Sequence, residues 1–256
     1  MYLNQSSLTT NAILGALPED SRDAIMPHLE LVKIGSSPLA CVGEPSRHLY
    51  FPTTAVMSVL RMMDDGAMIE VASVGREGVL GWSILGGSDA ISTRFNTRVG
   101  GVAYRLPITV MQAESERSLE TYRLLLNYCQ AMMAQISRSA LCNRHHSVSE
   151  QLSRWLLLTH DRIDGDELVV THQNVANTLG VRREGVTQAM GTLQETGVIR
   201  QSRGCITVLD RDGLEHCACE CYDLICGEYS HMLGMQPGRS AMPRLWAPQT
   251  FSAYGA

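Results

Sequence analysis

The chain has 256 residues and a mass of 28.1 kDa, enough for one large domain or two smaller ones with a substantial core. With 45% hydrophobic and 18% charged residues it reads as a globular rather than a disordered chain, and no apolar run is long enough for a membrane span. The formal net charge of −5 announces no nucleic-acid partner, although a small basic face can sit on an acidic protein.

Met1 to Ser7 has neither the basic nor the apolar region of a secretory signal, so a cytoplasmic location is expected. The cysteines at 41, 129, 142, 205, 217, 219, 221 and 226 are then expected to be reduced thiols. Residues 8 to about 30 read as short helical pieces, with a helix start at Leu17-Pro18-Glu19-Asp20. From Leu31 to Leu106 the pattern changes to short β-type runs: Leu31–Ile34, His48–Phe51, Val56–Leu60, Met68–Val74 and Val102–Leu106. Polar turns separate them at Gly43–Ser46, Asp64–Gly66 and Gly86–Asp89, which predicts a sandwich or barrel rather than βαβ units.

From about Ser115, Leu119, Tyr122, Leu126, Cys129, Met132, Met133 and Ile136 recur at helical spacing and predict a helix of roughly thirty residues. Its apolar stripe suits either a second copy of the chain across a two-fold axis or the β domain of its own chain. A second helix carries Val148, Leu152, Trp155, Leu156 and Leu158 on one side. The pair His145-His146 at the junction reads as a hinge or surface feature rather than as ligands.

Thr171 to Val181 predicts a short helix capped by Thr171 and stopped by Gly180, and Arg182 to Leu193 predicts another. Two short helices joined by a tight glycine turn make a helix-turn-helix, with Val175, Ala176 and Leu179 facing Val186, Met190 and Leu193. The hairpin Ile199–Leu209 with the tip Ser202-Arg203-Gly204 reads as the wing of a winged helix. A single helix is expected from about Arg211 to Leu233, and the proline-containing residues 236–256 read as a tail.

The second short helix presents Arg182, Arg183, Glu184, Thr187 and Gln188 on its outer side and N-terminal end, the part of a recognition helix that enters the major groove. Arginine can read guanine, glutamate cytosine and glutamine adenine. Thr171, Gln173 and the wing residue Arg203 are candidates for phosphate contacts. Between 171 and 211 five arginines stand against Glu184, Glu195 and Asp210, a basic segment within an acidic chain. Gly185 and Gly191 weaken this helix; they either admit close approach of DNA or are tolerated.

His216-Cys217-Ala218-Cys219-Glu220-Cys221 with Cys226 raises metal binding or thiol sensing. On a continuous helix Cys217 and Cys221 share a face while Cys219 points away, so free cysteines and no metal site are expected. No Walker loop, G-x-S-x-G or H-E-x-x-H motif is present, and no enzymatic activity is expected.

This order of β-roll, long helix and winged helix-turn-helix resembles the cyclic-AMP receptor protein/FNR (CRP/FNR) superfamily of bacterial transcription regulators from about Ile13 to Tyr222. The similar segments are Asn11–Pro18, Gly43-Glu44, Leu49–Pro52, Val74–Gly81 and Thr171–Ile199, with Arg183, Glu184 and Gln188 at base-reading positions. The resemblance implies an α+β chain: a cyclic-nucleotide-binding-like jelly roll (10–112), a dimerisation helix (113–146), a winged helix-turn-helix (147–235) and a flexible tail (236–256). It implies a homodimer on a near-palindromic double-stranded operator, with RNA polymerase as a further partner and no membrane. The effector cassette maps to Gly81, Trp82, Ser83, Thr93 and Arg94, with Trp82 where cyclic-AMP binders carry the ribose glutamate, so cyclic AMP is not expected to bind in the usual way. The N-terminal cysteine cluster of FNR-type sensors is missing, and His48 lacks support as a haem ligand. No cofactor is assigned, the effector stays open, and so does a thiol, metal or small-ligand sensor whose winged helix serves protein interaction.

Overall fold

A computed structural model describes residues 8–35, 48–64, 66, 68–81 and 93–234. Two short helices, α1 (Ala12–Ala16) and α2 (Glu19–Ile25), open it. The Asn11 side chain caps α1 by accepting from the backbone of Ile13 and Leu14, and its amide donates to Pro52 and Gly78, fastening the helix to the β domain. Pro18 precedes α2, with Glu19 and Asp20 in its first turn.

The β domain consists of β1 (Glu30–Ile34), β2 (His48–Pro52), β3 (Val56–Met62), β4 (Met68–Val74), β5 (Thr93–Val99) and β6 (Gly101–Pro107). They form two antiparallel three-stranded sheets, in the orders β1-β6-β2 and β4-β3-β5. Leu49, Phe51 and Leu106 from one sheet and Val56, Val59, Ala72 and Val74 from the other belong to one buried core. Strand β5 is absent from the runs that hydropathy picks out. Its sequence TRFNTRV is mostly polar, and pairing with β3 places it.

The helical stretch from Ser115 is two helices, α3 (Ile108–Arg117) and α4 (Leu119–His145). They break at Ser118, whose extended backbone and side-chain bond to the Thr121 amide cap α4. One face of α4, with Leu125, Tyr128, Met132, Gln135 and Cys142, is buried within the chain. Leu119, Tyr122, Leu126 and Met133 are exposed, so the two adjacent methionines of the predicted stripe face opposite ways. Helix α5 (Val148–His160) starts in a Ser147–Glu150 capping box. It is buried throughout from Gln151 to His160, not on one side only.

The C-terminal part comprises β7 (Glu167–Val169), α6 (His172–Leu179), α7 (Arg183–Glu195), β8 (Ile199–Ser202), β9 (Cys205–Val208), α8 (Arg211–His216) and α9 (Cys221–Met232). The expected single helix after Arg211 is therefore interrupted between His216 and Cys221. The wing sheet has the order β7-β9-β8. This part is docked on the β domain through Arg162, which pairs with Glu77, and through Arg98, which pairs with Glu70 and lies over the Trp155 ring. Among the described residues no helix is long and apolar enough to cross a membrane.

Candidate nucleic-acid interface

Thr171 accepts from the Asn174 amide at 3.2 Å and so caps α6. Gly180 ends it with φ of 66°, a left-handed conformation that glycine adopts without penalty. A Cβ at this position would also stand 2.9 Å from the side chain of Ile69 in β4, so the turn needs glycine for packing as well. Val175, Ala176 and Leu179 are buried with Val186, Met190 and Leu193 of α7. This packing fixes the angle between the helices.

Helix α7 begins at Arg183, with no side chain capping its first turn. The Gly185 amide donates to the Arg182 carbonyl at 3.0 Å, and the positive end of the helix dipole faces outward here. Arg182, Arg183, Glu184, Thr187 and Gln188 are all exposed. The Thr187 hydroxyl is already engaged, donating to the Arg183 carbonyl and lying 3.1 Å from Nδ1 of His172. The other ring nitrogen of His172 is 2.9 Å from Gln201 of the wing, whose amide donates to Gln194 of α7. His172 thus holds α6, α7 and β8 in one arrangement, a role that sequence reading misses because its partners are distant in the chain.

Between these elements lies a cleft of about 180 Å³ lined by Thr171, His172, Gln173, Arg183, Gln201 and Gly204, among others. Gln173 donates to Asn177 along the exposed side of α6. Arg203 is exposed at the wing tip beside Gly204, which has φ of 70°. Arg211, counted above with the basic residues, faces inward instead: it bonds Asp161 and Tyr222 at 2.6 and 2.7 Å and pairs with Glu215. Four arginines of the segment, Arg182, Arg183, Arg200 and Arg203, are left on the surface. An exposed helix end, a basic wing and a cleft between them match the way a winged helix meets duplex DNA.

Comparison with known proteins agrees. A family model for the Crp-like helix-turn-helix domain matches residues 150–217. This part of the chain is similar to that domain. A crp/fnr-family transcriptional regulator from Eubacterium rectale has the same fold, with TM-score 0.63 and 17% identity over 81% of this chain and 98% of that one. FixK2 from Bradyrhizobium japonicum gives 0.62 and 14% over 75% and 98% of the two chains. The c-di-GMP-responsive regulator CLP of Xanthomonas campestris gives 0.56 and 16% over 75% and 99%. No curated protein matches the sequence. The chain is thus CRP/FNR-like in fold, with a segment similar to the Crp-like helix-turn-helix domain at residues 150–217.

Of the expected effector residues, Gly81 has φ of 90°, and a Cβ there would stand 3.0 Å from the His48 carbonyl. Trp82 and Ser83 lie outside the described residues. Thr93 and Arg94 open β5, in register with Arg61 and Leu60 of β3. The cysteines do not sit as a continuous helix would place them. Cys219 and Cys221 point to the same place as Cys142 and His146, and Cys217 and Cys226 do not belong to that group. The assumed continuous helix is broken there, which changes the direction of each side chain. His146, read as a hinge or surface residue, lies inside the group.

Proposed function

We propose that this chain is a sequence-specific transcription regulator that binds a near-palindromic operator as a homodimer. The observation that carries the reading is the exposed N-terminal end of α7, with Arg182, Arg183, Glu184 and Gln188, held beside the basic wing by His172. Arg183, Glu184 and Gln188 read base edges, Arg182 supports them, and Thr171, Gln173 and Arg203 hold phosphates. Thr187 serves mainly to orient the helix, since its hydroxyl is already bonded within the domain.

The dimer reading is supported by α4. Leu119, Tyr122, Leu126, Cys129, Met133 and Ile136 alternate at steps of three and four residues, a coiled-coil seam, and the first three and Met133 are exposed in the single chain. Pairing two copies along this seam buries it and sets the recognition helices about 34 Å apart, in successive major grooves. The β-roll senses a signal in the cytoplasm through Gly81, Trp82, Ser83, Thr93 and Arg94 and biases the orientation of the DNA-binding domains, with RNA polymerase as the downstream partner. The chain catalyses no reaction in this reading.

Binding of the pure protein to its own promoter region, titrated with salt and with cyclic nucleotides, tests the proposal. Tight site-specific binding with a steep salt slope is expected. Absence of specific binding under every condition would reassign the winged helix to a protein partner.

A further inference from the structure

Cys142 lies in the last turn of α4 and His146 caps the same helix, one turn further on the same face. Cys219 lies in the link between α8 and α9, and Cys221 is the first residue of α9. Their thiol sulfurs and the imidazole nitrogen all lie within 4.8 Å of one another. The Cys142 and Cys219 sulfurs are 3.5 Å apart, and the Cys221 sulfur is 3.7 Å from Nδ1 of His146. The three cysteines are buried and none is in a disulfide.

We propose that Cys142, His146, Cys219 and Cys221 form a closed tetrahedral site for a single zinc(II) ion. Zinc–sulfur bonds of about 2.3 Å and zinc–nitrogen bonds of about 2.0–2.1 Å place tetrahedral neighbours about 3.5–3.8 Å apart, and both separations given above fall in that range. Three soft thiolates and an imidazole select a thiophilic ion over magnesium or calcium. A polynuclear iron–sulfur core would hold its ligands farther apart than this group stands. With four protein ligands no position is left for water, so the ion is structural rather than catalytic.

The surroundings fit the same ion. Nδ1 of His146 faces the cysteines, and its Nε2 is 3.3 Å from Glu220, the carboxylate–histidine–metal arrangement that orients a ligating ring. Three thiolates around a divalent cation leave one negative charge. Arg154 is buried, its Nε has no hydrogen-bond partner among the described residues, and its positive charge acts on Cys142 and Cys221. Two ligands precede and two follow the helix-turn-helix domain of residues 150–217. One ion therefore staples both ends of that domain to the end of the long helix.

The test uses the full chain, purified untagged under reducing conditions without added metal. Elemental analysis is expected to find about one zinc per chain. Stripping the zinc and adding cobalt(II) is expected to give the intense visible bands and sulfur-to-cobalt charge transfer of a tetrahedral thiolate site. Cys142→Ser and Cys219→Ser lose the ion and the bands, whereas Cys217→Ser and Cys226→Ser keep both. His146→Cys keeps the ion and strengthens the charge-transfer band, so the site is tested even where a serine variant fails to fold. Folded, reduced protein with neither zinc nor a tetrahedral cobalt spectrum would overturn the proposal. So would equal metal loss in Cys217→Ser, or a Cys142–Cys219 disulfide in place of the ion. None of these readouts involves DNA, so the site and the regulator reading fail separately.

Discussion

Arg162, in the turn just past α5, and Glu77, in the turn after β4, form an ion pair sealed inside the molecule, with Nη2 and Nε at 2.8 and 2.9 Å from one carboxylate oxygen. The same oxygen accepts from the Gly75 amide at 3.0 Å. Burial pulls the Arg162 pKa down, but the charge and hydrogen bond of Glu77 outweigh it and raise the pKa above its ordinary value. Gly75 makes room for the pair, since a Cβ there would stand 2.7 Å from the Arg162 side chain. The pair joins the β domain to the helical part that carries the winged helix.

Breaking this pair from one side leaves a buried charge with no partner. Glu77→Met or Arg162→Met is expected to destabilise the protein by about 3–5 kcal/mol. The double variant Glu77→Met/Arg162→Met should recover most of the loss, because both charges are gone. Urea unfolding of the three variants measures this. Additive losses would show that the two residues act independently.

On the recognition helix, Arg183→Ala is expected to cost about 1–3 kcal/mol of specific binding and to relax preference at one base position. Arg203→Ala on the wing should weaken binding evenly across sequences and reduce the salt slope by about 1. Binding to a set of single-base operator variants at several salt concentrations separates the two behaviours.

The exposed stripe of α4 gives a third expectation. Leu126→Arg or Met133→Glu places a charge in the proposed seam while leaving the buried face of α4 untouched. Sedimentation should show the wild-type chain as a dimer and the variants as folded monomers. An unchanged dimer would place the two-fold contact elsewhere.

Two glycines of the helix-turn-helix should respond in opposite directions. Gly191 lies within α7, where an added Cβ meets nothing within 4 Å, so Gly191→Ala is expected to stabilise by about 0.5–1 kcal/mol. Gly180→Ala must adopt a left-handed backbone against Ile69 and should destabilise by more than about 1 kcal/mol. Thermal unfolding of both variants checks the pair.

The helix-turn-helix was legible in the sequence because its signals are local: a threonine cap, apolar residues at helical spacing and a stopping glycine. The wing was legible from its turn and alternating strands. Strand β5 was not, since Phe95 and Val99 are its only large apolar residues and its place comes from pairing with β3. Glu77 and Arg162 are 85 residues apart, and Cys142 and Cys219 are 77 apart, so no spacing rule connects them. The cysteine group was also hidden by the assumption of an unbroken helix after Arg211, which assigned the side chains to the wrong faces.

Whether α7 reads DNA in a two-fold complex is decided by footprinting the protein on a high-affinity site selected from random duplexes. An inverted repeat with two protected major-groove segments about one helical turn apart is expected, with loss of protection at matching positions of both halves in Arg183→Ala. Selection that yields no common sequence, or a footprint unchanged by Arg183→Ala, would contradict it.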